Sequence, residues 1–120
     1  MITSFELRII NEFRINAREI INSLVEHCNV LTSGLEKTEL DNPVYTNSKC
    51  DLRPIADLWF WLLQLLVIKD HYYNKHIEVM VNDCSYLLSC IFGQDELSYS
   101  KLKYYINEMD KELELFDKDN

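Results

Sequence analysis

The chain has 120 residues, 48% of them hydrophobic and 27% charged, with a formal net charge of −8. That length suits one domain with a real core, and two glycines with two prolines are too few for the frequent tight turns of an all-β fold. The acidity excludes the basic surface that non-specific nucleic-acid binding requires. It also disfavours an anionic membrane surface and suits the capture of a basic partner.

Thr3 and Glu6 have the spacing of a capping box and open a first helix. Ile10, Phe13, Ala17, Ile20, Ile21, Leu24, Cys28 and Leu31 then form one apolar stripe, and Gly34 is placed to end the helix in the left-handed conformation. From Leu35 to Cys50 the periodicity fails among turn formers, which predicts a long loop with room for a short helical turn. Asp51 is a candidate N-cap, and Pro54 fits the first turn of a second helix over Leu52–Lys69. Its run Leu58-Trp59-Phe60-Trp61-Leu62-Leu63 is apolar on every side. Such a helix is either buried all round, as the centre of a bundle, or shares a face with another chain.

Asp70 to Asn74 reads as a turn. A third helix places Ile77, Met80, Val81, Cys84, Leu87, Leu88 and Ile91 on one stripe, and Gly93 closes it. A fourth opens within Asp95–Ser98, carries Leu102, Tyr105, Ile106, Met109, Leu113 and Phe116, and is expected to fray over Asp117–Asn120. These elements define an all-α, single-domain four-helix bundle over residues 1–120, with a long first helix and a long loop between the first two.

The acidic excess is uneven: from Ile77 to Asn120 ten acidic residues stand against four lysines, a net −6. The N-terminus has no basic segment followed by an apolar run, and the most apolar window, Leu58–Ile68, falls far short of the roughly 20 residues that span a bilayer. Cys28, Cys50, Cys84 and Cys90 are therefore expected to be free thiols of a cytoplasmic protein.

Catalytic chemistry is not legible. His71 and His76 are five apart and Cys84 and Cys90 six, so neither pair shares a helix face, and no Cys-x-x-Cys or Glu-x-x-His motif exists. His27 and Cys28 are adjacent and diverge, with His27 expected to face solvent. The Arg-to-His spacings, Arg18 to His27 and Arg53 to His71, are wrong for a HEPN-type RNase. No catalytic residue, cofactor or metal is therefore expected. Recognition chemistry remains. Trp59, Phe60, Trp61, Phe13 and Phe116 are expected in or near the core, whereas Tyr45, Tyr72, Tyr73, Tyr99 and Tyr104 fall in loops, at helix starts or off the stripes. Exposed tyrosines beside carboxylates form interface hot spots against Arg- or Lys-rich partners. The candidate partner-binding residues are Tyr72, Tyr73, Asp83, Asp95, Glu96, Tyr99 and Glu108.

The corner Asp95-Glu96-Leu97-Ser98-Tyr99, followed by Leu102-x-x-Tyr105-Ile106-x-x-Met109, resembles the immunity proteins paired with colicin D and with contact-dependent growth inhibition toxins. The resemblance covers about the last 50 residues. It implies a cytosolic inhibitor that binds a basic, tRNA-cleaving toxin domain one-to-one, without implying any particular contact residue. The long first helix and the 35–50 loop have no counterpart in that pattern. Two other readings stand beside it: a helical adaptor that engages a host protein for a virus or phage, which dimerisation through Trp61 would favour, and a HEPN-like RNase relative.

Overall fold

The computed structural model describes residues 3–41, 52–72, 74–92 and 97–119. Five helices follow in order: α1 (Ser4–Thr32), α2 (Lys37–Leu40), α3 (Leu52–His71), α4 (Lys75–Phe92) and α5 (Tyr99–Asp119). The four long ones form the bundle expected from the apolar stripes. α3 packs on α1 and α4, and α5 packs on the same two helices, so α3 and α5 lie on opposite corners. The buried residues form one core in an elongated body of 50 × 25 × 20 Å.

Local signals set most boundaries. The Thr3 hydroxyl accepts a hydrogen bond from the Glu6 amide at 3.1 Å, satisfying one of the free donors at the start of α1. At the other end, the Leu35 amide donates to the Thr32 carbonyl, with Ser33 extended and Gly34 at φ +79°. This is a type II turn directly after the helix, which needs a residue without a Cβ at its third position. Asn74 caps α4: its side-chain oxygen accepts from the His76 amide at 2.8 Å. Ser98 caps α5 in the same way, accepting from the Lys101 amide at 3.1 Å. The long connection contains the single turn α2, and Asp41 at its end accepts from the Ser100 hydroxyl at 2.8 Å, tying it to the start of α5. The expectations for Tyr45, Cys50, Asp51 and Gly93 lie outside the described residues.

Three expectations are corrected. α3 is not buried all round: Leu58, Trp61, Leu65 and Ile68 are fully buried, whereas Trp59, Phe60, Leu63, Leu66 and Val67 are exposed. A four-helix bundle offers each helix one inward face, so the surplus apolar residues of α3 have nowhere inside to go. Trp59 and Phe60 are thus surface residues, and the buried Trp61 cannot serve as a dimer contact. His27 does not simply face solvent; its Nδ1 lies 2.7 Å from Asp57 Oδ2, which also accepts from the Ser23 hydroxyl at 2.9 Å and links α1 to α3. Nor does the C-terminal turn fray. Phe116 is fully buried, and Asp117 and Asp119 are held by partners on other helices, so α5 persists to Asp119.

The docking of that last turn has a direct check. Phe116→Ala should cost about 3–5 kcal/mol in urea unfolding, because its ring is wholly enclosed. Leu115→Ala, one residue earlier on the exposed side, should stay within about 1 kcal/mol. Equal costs would mean that the end of α5 is not packed as described.

Candidate functional site: an acidic, tyrosine-flanked seam

Lys101, Tyr105, Glu108 and Glu112 recur at spacings of four, three and four along α5, and Asp119 follows one heptad after Glu112. This places all five on one side of the helix. On the antiparallel α4, His76, Val79, Asp83 and Tyr86 do the same at spacings of three, four and three. The two rows meet along the α4–α5 groove. Tyr86 lies against Tyr105, with ring centroids 5.1 Å apart, and Tyr105 meets Tyr104 edge-on at 5.3 Å. Lys101 Nζ donates to the Tyr86 hydroxyl at 3.0 Å. Asp83 faces Glu108 and Glu112 across the middle. At the far end His76 reaches Glu112 Oε1 through Nδ1 at 2.5 Å and Asp119 Oδ2 through Nε2 at 2.7 Å.

The electrostatics differ along the seam. His76 is buried between two carboxylates, and the Glu112 hydrogen bond above all, then that of Asp119, raises its pKa above 6.5. Both ring nitrogens donate only in the imidazolium, so the geometry selects the charged form. Asp83 has the opposite problem. Partial burial first, then repulsion from Glu108 and Glu112, raises its pKa, and it has no hydrogen-bond or ion-pair partner among the described residues. Among the described residues Glu108 pairs with the exposed Lys111 at 3.4 Å, a contact worth little. Val79, Tyr86, Tyr104 and Leu115 leave apolar and aromatic surface around this uncompensated charge.

Of the residues singled out in the sequence, the structure brings Asp83 and Glu108 together. Tyr99 is half-buried in the first turn of α5. Tyr72 is not an exposed side chain; it is half-buried against the core, just before α4. Because α4 and α5 are antiparallel, these two tyrosines stand at opposite ends of the seam, about 27 Å apart along an 18-residue helix. Tyr73, Asp95 and Glu96 lie outside the described residues. His76, Glu112, Tyr86 and Tyr105 escaped the sequence reading. The 4-3-4 spacing of the α5 row was the available signal.

Other constellations have structural explanations. Arg18 Nη1 pairs with Asp110 at 2.7 Å and Nη2 with Asp117 at 3.7 Å, while Arg14 lies 4.0 Å from Asp117 and over the Phe116 ring. Together they clasp α1 to α5. Ser23, His27 and Asp57 have the residue types of a hydrolase triad, but the serine donates to the aspartate instead of meeting the imidazole. Burial raises the Cys28 thiol and pushes Cys84 up to about 12, so neither offers a thiolate near neutrality. Among the described residues no three His, Cys, Asp or Glu side chains are arranged to hold a metal ion, and no helix is long and apolar enough to cross a membrane. A groove of about 470 Å³ runs beside α1, lined by Asn22, Val25, Glu26, Asn29 and Asp110 among others, and is wide open to solvent.

The fold and seam thus define an acidic helical bundle. No protein-family model matches the chain, and no curated protein or solved structure matches it either.

His76 makes the bundle pH-sensitive with a definite sign. Its folded pKa lies above the unfolded value of 6.5, so its contribution is complete below pH 6.5 and is lost as pH rises through the folded value. Unfolding free energy should therefore decline on the alkaline side of pH 6.5. His76→Gln should remove that slope and cost about 2 kcal/mol at pH 6, because Glu112 stays half-enclosed without its cation. Asp83→Asn should have the reverse effect, raising the melting temperature slightly by relieving repulsion at a site still screened by water. A lower melting temperature for Asp83→Asn would show that the carboxylate has a partner.

Proposed function

We propose that this bundle is a non-catalytic capture module that binds a cationic protein domain along the α4–α5 seam. Within that class, the reading we favour is an immunity-type inhibitor that neutralises a basic toxin, most simply a tRNA-cleaving nuclease. The observation that carries the proposal is the convergence of Asp83, Glu108 and Glu112, which leaves Asp83 without a cation among the described residues and with a raised pKa.

A cluster that repels itself costs the free protein stability, and an arriving guanidinium or ammonium removes that cost while being desolvated against the tyrosines. Tyr86, Tyr105 and Tyr104 supply rigid aromatic surface with polar tips, the side chains that most often anchor interfaces. The negative excess between Ile77 and Asn120 adds long-range steering, which raises association rates with cationic partners. A nuclease domain presents lysines and arginines for phosphate, so an acidic seam can occupy the same groups. The resemblance of the 95–109 segment to the colicin D and contact-dependent inhibition immunity proteins points to this partner class. Such a role calls for no catalytic group and no cofactor.

The test is co-expression with the product of the adjacent gene, scoring bacterial growth and tRNA integrity. Rescue by the wild-type chain, lost in Asp83→Lys/Glu108→Lys, is the expected result. The purified variant should bind at least about 100-fold more weakly, with a melting temperature no lower than that of the wild type. Rescue that survives both charge reversals would place the contact elsewhere. A harmless neighbour whose basic domain forms no complex would defeat the proposal.

A further inference from the structure

The exposed side of α3 is ordered like the inner one. Leu58, Trp61, Leu65 and Ile68 point inward at spacings of three, four and three. Ala56, Phe60, Leu63, Val67 and Asp70 follow at four, three, four and three, about 180° around the helix. Phe60 is 61% exposed, Leu63 53% and Val67 55%, with Trp59 and Leu66 beside them. This is the 3.5-residue repeat of a helix seam, and it faces solvent. An aromatic side chain spans roughly 150–250 Å². The five residues therefore show about 450 Å² of apolar surface, within the range of the largest patch on an ordinary monomer. Doubled across two chains, with its rim, it reaches roughly the 1,000 Å² at which specific interfaces begin.

We propose that this face binds a second copy of the chain, with the two α3 helices antiparallel. The distribution of charge favours this occupant. The protein carries −8, yet Leu52–His71 contains Arg53 and Lys69 against Asp57 and Asp70, a balanced set. The acidic seam includes α5, on the corner of the bundle opposite α3. A like-charged copy therefore approaches on a face with no net charge of its own.

The sequence of the stripe also complements itself. In one antiparallel register Phe60 lies level with Leu63 of the second copy, Ala56 with Val67, and Arg53 with Asp70. Large side chains meet smaller ones, and each end pairs opposite charges. Asp70 stands in the last turn of its own helix, where the dipole disfavours a carboxylate. Antiparallel pairing moves it beside the N-terminal turn of the other α3, where the dipole favours one. The dimer leaves the α4–α5 seams on its outer sides, so each dimer can engage two partners.

Sedimentation equilibrium of the full chain tests the assembly. The wild type should be a concentration-dependent dimer, and Leu63→Lys should raise the dissociation constant at least about 30-fold while leaving the helical spectrum and core melting intact. Arg53→Asp or Asp70→Arg alone should weaken the dimer, and the two together should restore it. In Ala56→Cys/Val67→Cys, mild oxidation should give a covalent dimer that the wild-type chain, with its native cysteines, does not form. A monomeric wild type at every concentration overturns the proposal. So does a dimer indifferent to Leu63→Lys, and a double charge swap weaker than either single swap overturns the antiparallel register.

Discussion

Phe13 is the side chain on which three helices agree. It projects from α1, stacks on Trp61 of α3 at 6.2 Å between centroids and meets Phe116 of α5 edge-on at 5.5 Å. All three rings are buried, and a close-packed interior tolerates little rotation of any helix about its axis. With Trp61 turned inward, Phe60, Leu63 and Val67 must turn outward, since they lie on the far side of the same helix. With Phe116 inward, Glu108 and Glu112 fall on the flank towards α4. The two surfaces proposed for binding are therefore consequences of one aromatic junction.

Around that junction the charged residues divide into those the fold uses and those it leaves unspent. Arg14 and Arg18 neutralise Asp110 and Asp117 at the α1–α5 boundary, and Asp57 collects Ser23 and His27 at the α1–α3 boundary. His76 closes the α4–α5 boundary at one end only. Moving along the groove towards Tyr86, the next carboxylates are Asp83 and Glu108, which have no comparable cation. A structure stabilised everywhere by the same means would have placed one there. Its absence among the described residues is what singles out the middle of the seam in the proposed function.

The helices were legible because their apolar stripes are long and their caps are local. Thr3, Asn74, Ser98 and Gly34 act within a few residues of themselves, so the sequence contains the whole interaction. The fate of α3 was not legible in the same way. A run apolar on all sides gives little by which to orient the helix, and tertiary contacts decide which side of α3 turns inward: the Phe13 ring against Trp61, and Asp57 against Ser23 and His27. The C-terminal turn is hidden for a related reason: Asp117-Lys118-Asp119 is polar in isolation and is ordered by the burial of Phe116 and by Arg14, Arg18 and His76 on other helices. The seam was half visible. Asp83 and Glu108 stood out as acids off the stripes, but their convergence depends on the antiparallel register of α4 and α5. Tyr105 is hidden by its place on the apolar stripe, and His76 by its five-residue offset from His71, which gives the two no common face.

His76 links the stability of the seam to its charge. With the imidazolium in place, Glu112 and Asp119 share its charge; without its proton both lose that cation, and Asp83 still faces Glu108 and Glu112. Raising the pH therefore makes the groove a stronger attractor for a cationic partner while loosening the contact that holds the end of α5. On the proposed reading, a guanidinium bound near Glu112 would act against the His76 proton by charge repulsion, and partner and proton would compete for one field. The competition is confined to the α4–α5 corner. The α3 face carries no titratable group at its centre, only Phe60, Leu63 and Val67, so the proposed assembly there and the proposed capture at the seam would respond to different variables: apolar area in the first case, charge in the second.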